Sequence, residues 1–196
     1  MIKTRTYILT AAALAAALTL SACASGTAGT NGGGGSESTS APSASAANAS
    51  DVTFAQMMIP HHEQAVGMSE EFLAKDDADQ RIVDLASQIK AAQEPEIKQL
   101  KTWLSAWGAD EAMSGMDDGT TGMMSDGDMM ALEEASGAEA DRLFLEQMML
   151  HHEGAIEMAQ TELDAGENGD AKAMAQNIVT SQTSEIQTMK DLLATL

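Results

Sequence analysis

The residues best suited to chemistry in this chain are its four histidines, which all lie in two adjacent pairs. His61-His62 and His151-His152 are separated by an offset of 90 residues. Methionines flank each pair at matching positions, which are Met58, Met68, Met148 and Met158. Imidazole nitrogen with thioether sulfur forms a donor set that favours copper, particularly Cu(I), or silver and similar soft metals, over hard cations. The pattern predicts a copper site.

The spacing of these donors is helical. Apolar and donor residues recur at steps of three and four along the first unit: Phe54, Met58, His61, Ala65, Met68 and Phe72. At 100° per residue, Met58, His61, Ala65 and Met68 fall within a sector of roughly 80°, with His62 at its edge. Each helix should therefore turn two imidazoles and two thioethers toward the interior. Two alternatives stay open, because buried methionine is often core filler and buried histidine can be purely structural.

Polar residues interrupt the apolar stripe of the two helices that follow the histidine motifs. They are Gln93 and Glu96 in the first unit, and Gln182 and Glu185 in the second. Ring nitrogens of metal-bound histidines commonly donate to a carboxylate, which orients the ring. We therefore expect Glu96 and Glu185 to accept from imidazole N–H groups, with Gln93 and Gln182 beside them. The alternative is that these residues lie on the surface of helices whose ends are misplaced.

Both units must come from one duplicated element, because the offset that aligns the histidine pairs also aligns Asp51 with Asp141 and Phe54 with Phe144. Each unit contains two amphipathic helices, so the sequence predicts an all-α four-helix bundle over residues 51–196, with units of about 51–107 and 138–196. Pro95 either kinks the second helix or begins it. The Met-rich linker 108–137 should contain a short helix capped by Ser125 and ended by Gly137.

The linker also contains methionines in a Gly- and Asp-rich context: Met113, Met116, Met123 and Met124. Exposed thioethers could capture Cu(I) loosely and pass it to the histidines. Surface filler is the alternative interpretation.

The first 50 residues are typical of an export signal followed by a flexible tether. Residues 1–22 have the charged start, the apolar run and the small residues of an export signal. The sequence Leu-Ser-Ala-Cys that ends at Cys23 resembles the bacterial lipoprotein signal, which implies cleavage before Cys23 and lipid on its sulfur. The rest of residues 23–50 is rich in Gly, Ser and Ala, so it predicts a flexible tether.

Composition excludes several classes of function. A formal net charge of -20 argues against nucleic acid, whose binding requires Lys and Arg against phosphates. The single cysteine excludes a disulfide framework, a zinc-thiolate site and an iron-sulfur cluster. Because Cys23 is expected to carry lipid at the mature N-terminus, no thiolate remains for a blue-copper centre.

Taken together, the motifs Met-Ile-Pro-His-His-Glu-Gln-Ala-Val-Gly-Met at 58–68 and Met-Met-Leu-His-His-Glu-Gly-Ala-Ile-Glu-Met at 148–158 resemble the signature of the DUF305 family. The resemblance covers residues 51–196 and implies a ferritin-like four-helix fold. Some relatives bind copper outside the cytoplasm, so the resemblance also implies His61, His62, His151, His152 and the flanking methionines as ligands. One departure is Ala140, where relatives often carry an aromatic residue.

These observations predict a non-enzymatic, exported and membrane-tethered protein that sequesters or relays copper. One alternative is a ferritin-like iron oxidase, although the Glu-x-x-His motif of bundle di-iron sites is absent from the sequence. Another is a structural or partner-binding lipoprotein whose histidines are merely buried. Homo-oligomerisation is left open. Metal binding by the histidines should weaken below about pH 6, as imidazole protonates.

Overall fold

The computed structural model describes residues 46–111 and 121–196, which contain five α-helices and no strand. The helices are α1 (Ala49–Leu73), α2 (Gln80–Trp107), α3 (Asp126–Glu134), α4 (Gly137–Ala165) and α5 (Gly169–Leu193). The predicted all-α fold of two helical hairpins is confirmed, with α3 in the linker between them. In the described part of the chain, no helix combines the length and the apolar character needed to cross a bilayer.

Local signals in the sequence set the ends of these helices. Asn48 caps α1 in a capping box with Asp51, so α1 begins slightly before the predicted domain boundary at residue 51. Ser125 caps α3 through the same kind of box with Asp128, as its position predicts. Gly137 does not end α3, which stops at Glu134; it is the first residue of α4 and has φ 54°. Glycine tolerates that conformation, so Gly137 serves the turn between the two helices.

Two prolines lie inside helices. Pro60 lies within α1 and Pro95 within α2, which is continuous from Gln80. Pro95 therefore does not begin the second helix. Proline removes only its own backbone donor, and a helix packed along its length tolerates that loss.

The histidine-bearing helices α1 and α4 pack against each other at the centre of the fold. Each also pairs with the second helix of its own hairpin, whereas α2 and α5 touch at few points. Met58 lies in the same buried cluster as Met158, and Met68 in the same cluster as Met148. This pairing requires α1 and α4 to run antiparallel, which places the two units about a pseudo-twofold axis near the histidines.

Contacts between the units follow the repeat. The Asp51 carboxylate accepts from the backbone N–H of Asn168 at 2.9 Å, and the Asp141 carboxylate accepts from the N–H of Asp79 at 3.0 Å. Each unit thus uses its duplicated aspartate to hold the loop of the other hairpin. At one end of the bundle, Phe72 and Phe144 stack with ring centroids 4.5 Å apart. Burial of each ring stabilises the fold by about 1.5–3 kcal/mol.

Candidate metal centre

The centre of the candidate site is a contact between one histidine of each unit. The rings of His61 and His151 are fully buried, with centroids 3.7 Å apart and planes inclined by 39°. His61 is on α1 and His151 on α4, so the antiparallel packing of these helices brings them together. Ala65 and Ala155, one turn further along each helix, are also fully buried. Their small side chains let the two helices approach closely at this level.

The other histidine of each pair is held by a carboxylate on the neighbouring helix. His62 Nε2 lies 2.9 Å from Glu96 Oε2, and His152 Nε2 lies 2.7 Å from Glu185 Oε2. These are the two contacts that the spacing predicts. Because an ionised carboxylate can only accept, each Nε2 donates, and in the neutral form of each ring Nδ1 carries the lone pair. The histidines are fully buried, whereas the side chains of Glu96 and Glu185 are 24% and 22% exposed.

Most ring nitrogens of the four histidines lack a well-formed hydrogen bond. In residues 46–111 and 121–196, the buried nitrogens without a partner are both of His61, both of His151, and Nδ1 of His62 and of His152. A buried polar atom without a partner costs about 1–3 kcal/mol. An arrangement that leaves six such nitrogens within two adjacent pairs is unfavourable unless a ligand satisfies some of them.

Burial also sets the protonation of the central pair. It lowers the pKa of His61 to about 3, with a smaller contribution from the neighbouring His62; the backbone carbonyl of Thr121 acts weakly in the opposite direction. The pKa of His151 is also well below its ordinary value, first because of burial and then because of His61. Both rings are therefore neutral at neutral and mildly acidic pH. Proton competition at these rings begins well below the pH 6 expected of an ordinary imidazole.

The flanking methionines lie in the core on both sides of the histidine pair. Met58, Met68 and Met148 are fully buried, and Met158 is nearly so. Two of them, Met58 and Met158, pack with Phe54 and Ala155 in one apolar cluster. These positions suit both a core residue and a soft ligand, so the role of the thioethers as ligands stays a prediction.

The glutamines predicted beside the carboxylates are buried as well. Gln93 on α2 and Gln182 on α5 are each 3% exposed, one helical turn before Glu96 and Glu185. Their Oε1 atoms have no hydrogen-bond partner in the part of the chain that the structure describes. They lie on the same helical faces as the carboxylates that hold His62 and His152, and their role toward a metal stays a prediction.

The linker methionines divide into two groups. Met113 and Met116, like Cys23, the signal peptide and most of the tether, lie outside the described residues. Met123 is half-buried and lines surface grooves, whereas Met124 packs against the apolar cluster of Phe72 and Phe144. The exposure expected of Met124 is wrong, because its backbone is fixed to α1 by Gln64. Metal capture by Met123 stays a prediction.

A carboxyl pair at the opposite end of the bundle from Phe72 was not anticipated. Glu162 is fully buried on α4 and faces Asp51; burial and this neighbour raise the pKa of Glu162 to about 8. Glu162 occupies the position that the repeat aligns with Phe72. The replacement of an aromatic residue by glutamate in one unit was the signal in the sequence.

Within the described residues, no three His, Cys, Asp or Glu side chains converge as a metal site. Glu96 and Glu185 are each engaged by an imidazole, so the unpaired donors are the nitrogens of His61 and His151 and the Nδ1 atoms of His62 and His152. The arrangement offers imidazole nitrogens with thioethers nearby along both helices. Cu(I) and Ag(I) accept both, whereas zinc and iron prefer more nitrogen and oxygen ligands.

The fold and these buried pairs define a class of all-α proteins with a duplicated His-His motif. The family model of DUF305, a domain of unknown function, matches residues 51–193, and the chain belongs to this family. No curated protein is significantly similar to it.

Solved structures of other family members are similar to this chain. A DUF305 protein of Streptomyces coelicolor, named as a predicted secreted protein, is 32% identical, with a TM-score of 0.70 over 74% of this chain and 91% of that one. A DUF305 fragment from Deinococcus radiodurans is 30% identical, with a TM-score of 0.70 over 76% and 99% of the two chains. The Cu(I)-bound form of CopM is 33% identical, with a TM-score of 0.62 over 74% and 96%. CopM has also been solved with Cu(II) and with silver.

Proposed function

We propose that this protein binds copper outside the cytoplasm, without catalysing a reaction, and sequesters or relays it in copper tolerance. The observation that supports this most strongly is the set of buried, unpaired imidazole nitrogens around His61 and His151. Two neutral rings 3.7 Å apart at their centroids, flanked along both helices by thioethers, form a soft site that is closed to water. Such a site favours Cu(I) over hard cations.

Similarity to CopM supports the choice of metal. CopM has been solved with Cu(I), Cu(II) and silver, at 32–34% identity to this chain. In this chain, Glu96 and Glu185 would hold His62 and His152 so that each Nδ1 lone pair is available to the metal. The metal is cargo in this proposal, and the protein supplies the donors and excludes water.

We also propose that the mature protein is anchored to the outer side of the cell membrane through lipid on Cys23. The export signal and the Leu-Ser-Ala-Cys sequence support this location. The acidic chain would be repelled by an anionic membrane surface, so a covalent anchor is the means that could keep it there. The naming of a relative as a predicted secreted protein is consistent with export.

Metal selectivity tests this function. The purified protein is titrated without oxygen against Cu(I), Ag(I), Zn(II) and Fe(II), each in competition with a chromophoric chelator. We expect tight binding of Cu(I) and Ag(I) and much weaker binding of the other two. Preferential binding of Fe(II), followed by its oxidation when oxygen is admitted, would contradict the proposal in favour of a ferritin-like oxidase. Binding of no metal would favour a structural lipoprotein.

A further inference from the structure

A short segment of the linker crosses the junction of α1 and α4 beside the histidines. This segment, Thr121–Met124, is called the strap. It lies so close to α4 that a Cβ atom on Gly154 would clash with the Thr121 carbonyl and stand 2.8 Å from Gly122 Cα. A Cβ atom on Gly122 would stand 2.9 Å from the backbone oxygen of Leu150. Backbone therefore meets backbone here, and only glycine permits the contact.

The strap is fastened to α1 by one side chain. The Gln64 amide donates from Nε2 to the Met124 carbonyl at 2.9 Å, and its Oε1 accepts from the Met124 N–H at 2.7 Å. Both polar groups of the glutamine and both backbone groups of Met124 are satisfied by this one contact. Gln64 acts as a two-point latch between the helix and the strap.

The strap also explains a difference between the two units. Gln64 and Gly154 occupy aligned positions of the repeat, at the offset of 90 that aligns the histidine pairs. Residues 121–124 contact both units near the pseudo-twofold axis, and they contact the two units through different atoms. The first unit supplies the latch, and the second supplies a flat seat where a side chain would obstruct the strap.

The position of the strap relative to the histidines gives it a role. Gln64 follows His61 by three residues, and Gly154 follows His151 by three, so both anchors lie one helical turn from the central rings. The Thr121 carbonyl is a neighbour of the His61 ring. Since His61 and His151 are fully buried, nothing can reach them unless a covering segment moves.

We propose that the strap is a removable cover over the His61–His151 pair, latched by Gln64 and seated on Gly154, and that its opening limits the rate at which metal enters. The strap is half-buried or exposed and belongs to no helix, so it opens more readily than the helices unfold. The control of metal entry rests on the proposed function, whereas the cover itself can be tested without metal.

The test measures how fast diethyl pyrocarbonate modifies each histidine of the metal-free protein, with the sites separated by peptide mass spectrometry. We expect Gln64→Ala to raise the rates at His61 and His151 roughly tenfold, because the opening equilibrium loses two hydrogen bonds. The matched control is Gln56→Ala, since Gln56 also lies on α1 and donates to a linker carbonyl, that of Asp110, at 2.8 Å. It should leave the rates unchanged.

A second variant removes the seat rather than the latch. Gly154→Ala should displace the strap and accelerate the same two histidines, while alanine favours the helix itself. Unchanged rates in both Gln64→Ala and Gly154→Ala would overturn the proposal. So would equal acceleration in Gln56→Ala, or faster modification at His62 alone, which would indicate entry by way of Glu96 in the groove between α2 and α5.

Stopped-flow mixing with Ag(I) then connects the cover to metal entry. We expect Gln64→Ala to bind Ag(I) faster than the unsubstituted protein. If the histidines are modified faster in the variants, but neither Gln64→Ala nor the unsubstituted protein binds Ag(I), the role of the strap as a cover is supported and the proposed function is wrong. If Ag(I) binds at the same rate to all variants, the function stands and control by the strap is overturned.

Discussion

The His61 and His151 rings meet at the pseudo-twofold axis of the fold, with centroids 3.7 Å apart. Each ring comes from a different unit, so neither helical hairpin contains the site by itself. A positive charge on either ring would be opposed by burial and by the neighbouring histidines. The duplication therefore produces a closely spaced pair of neutral nitrogen donors at the centre of the molecule.

The carboxylate that orients His62 should control metal affinity. Replacing Glu96 with glutamine puts an amide beside Nε2 and removes the charge that favours the Nε2–H tautomer. We expect Glu96→Gln to weaken Cu(I) binding about 10–100-fold in a chelator competition assay. Glu94→Gln, on the same helix but facing Lys90, is the control and should bind like the unsubstituted protein. Equal affinity in all three would exclude a role for Glu96 in the site.

The buried carboxyl pair should make stability fall as the pH rises. The folded state holds the Glu162 proton up to a pKa of about 8, whereas the ordinary value is 4.5, so between these values it binds more protons than the unfolded chain. In urea unfolding, the stability of the protein relative to Glu162→Gln should therefore decline from about pH 4.5 to about pH 8.

Comparison with this variant isolates Glu162, because His61 and His151 are present in both proteins. The lowered pKa values of these two rings make stability fall in both proteins as the pH drops below 6.5. Glu157→Gln, an exposed position on the same helix, should show the pH dependence of the unsubstituted protein. A constant difference in the free energy of unfolding between the unsubstituted protein and Glu162→Gln across this pH range would show that Glu162 does not hold a proton in the folded state.

Two neighbouring glycines should respond oppositely to alanine. A Cβ atom on Gly166 would clash with the Glu162 carboxyl and stand 2.7 Å from the Glu162 backbone oxygen, whereas a Cβ atom on Gly169 meets nothing within 4 Å. We expect Gly166→Ala to destabilise the fold by about 1–3 kcal/mol. Gly169→Ala should be neutral or stabilise by up to about 1 kcal/mol. Urea unfolding measures both, and equal effects would show that Gly166 is not crowded.

Methionine-to-leucine substitutions distinguish methionines that bind the metal from methionines that only pack in the core. Met58→Leu with Met158→Leu removes both thioethers of one cluster but conserves volume, so stability should change by less than about 1.5 kcal/mol per site. We expect Cu(I) affinity to fall by more than tenfold if these sulfurs bind the metal, as the donor set predicts. The pair Met68→Leu and Met148→Leu tests the other side. Unchanged affinity in both doubles would assign all four methionines to packing.

Periodicity made much of the site predictable. The steps of three and four residues placed His61 and His151 on inward faces, and the repeat placed Glu96 and Glu185 at equivalent positions of α2 and α5. Both carboxylates contact an imidazole, as expected, and the structure shows that the partners are His62 and His152. A regular helix converts spacing directly into direction, so such contacts follow from the sequence once the pairing of the helices is known.

The remaining features depend on the path of the linker and on departures from the repeat. The strap has no helical periodicity, so nothing in its sequence indicates that Thr121 lies beside His61 or that Met124 is half-buried against the core. Gly137 could end one helix or begin the next, and its actual place follows from the turn into α4. Glu162 stands where the repeat predicts an aromatic residue, and its proton depends on Asp51 from the other unit.

The most direct test of the metal site is an anaerobic Cu(I) titration of the protein and of the double variant His61→Leu with His151→Leu. Leucine is close to histidine in volume and suits a buried position, and circular dichroism verifies the fold. Phe144→Leu is the control, because it perturbs the core of the same helix but leaves every histidine in place. We expect tight Cu(I) binding by the unsubstituted protein and by Phe144→Leu, and loss of that binding in the double variant. Equal Cu(I) affinity in all three would contradict this expectation.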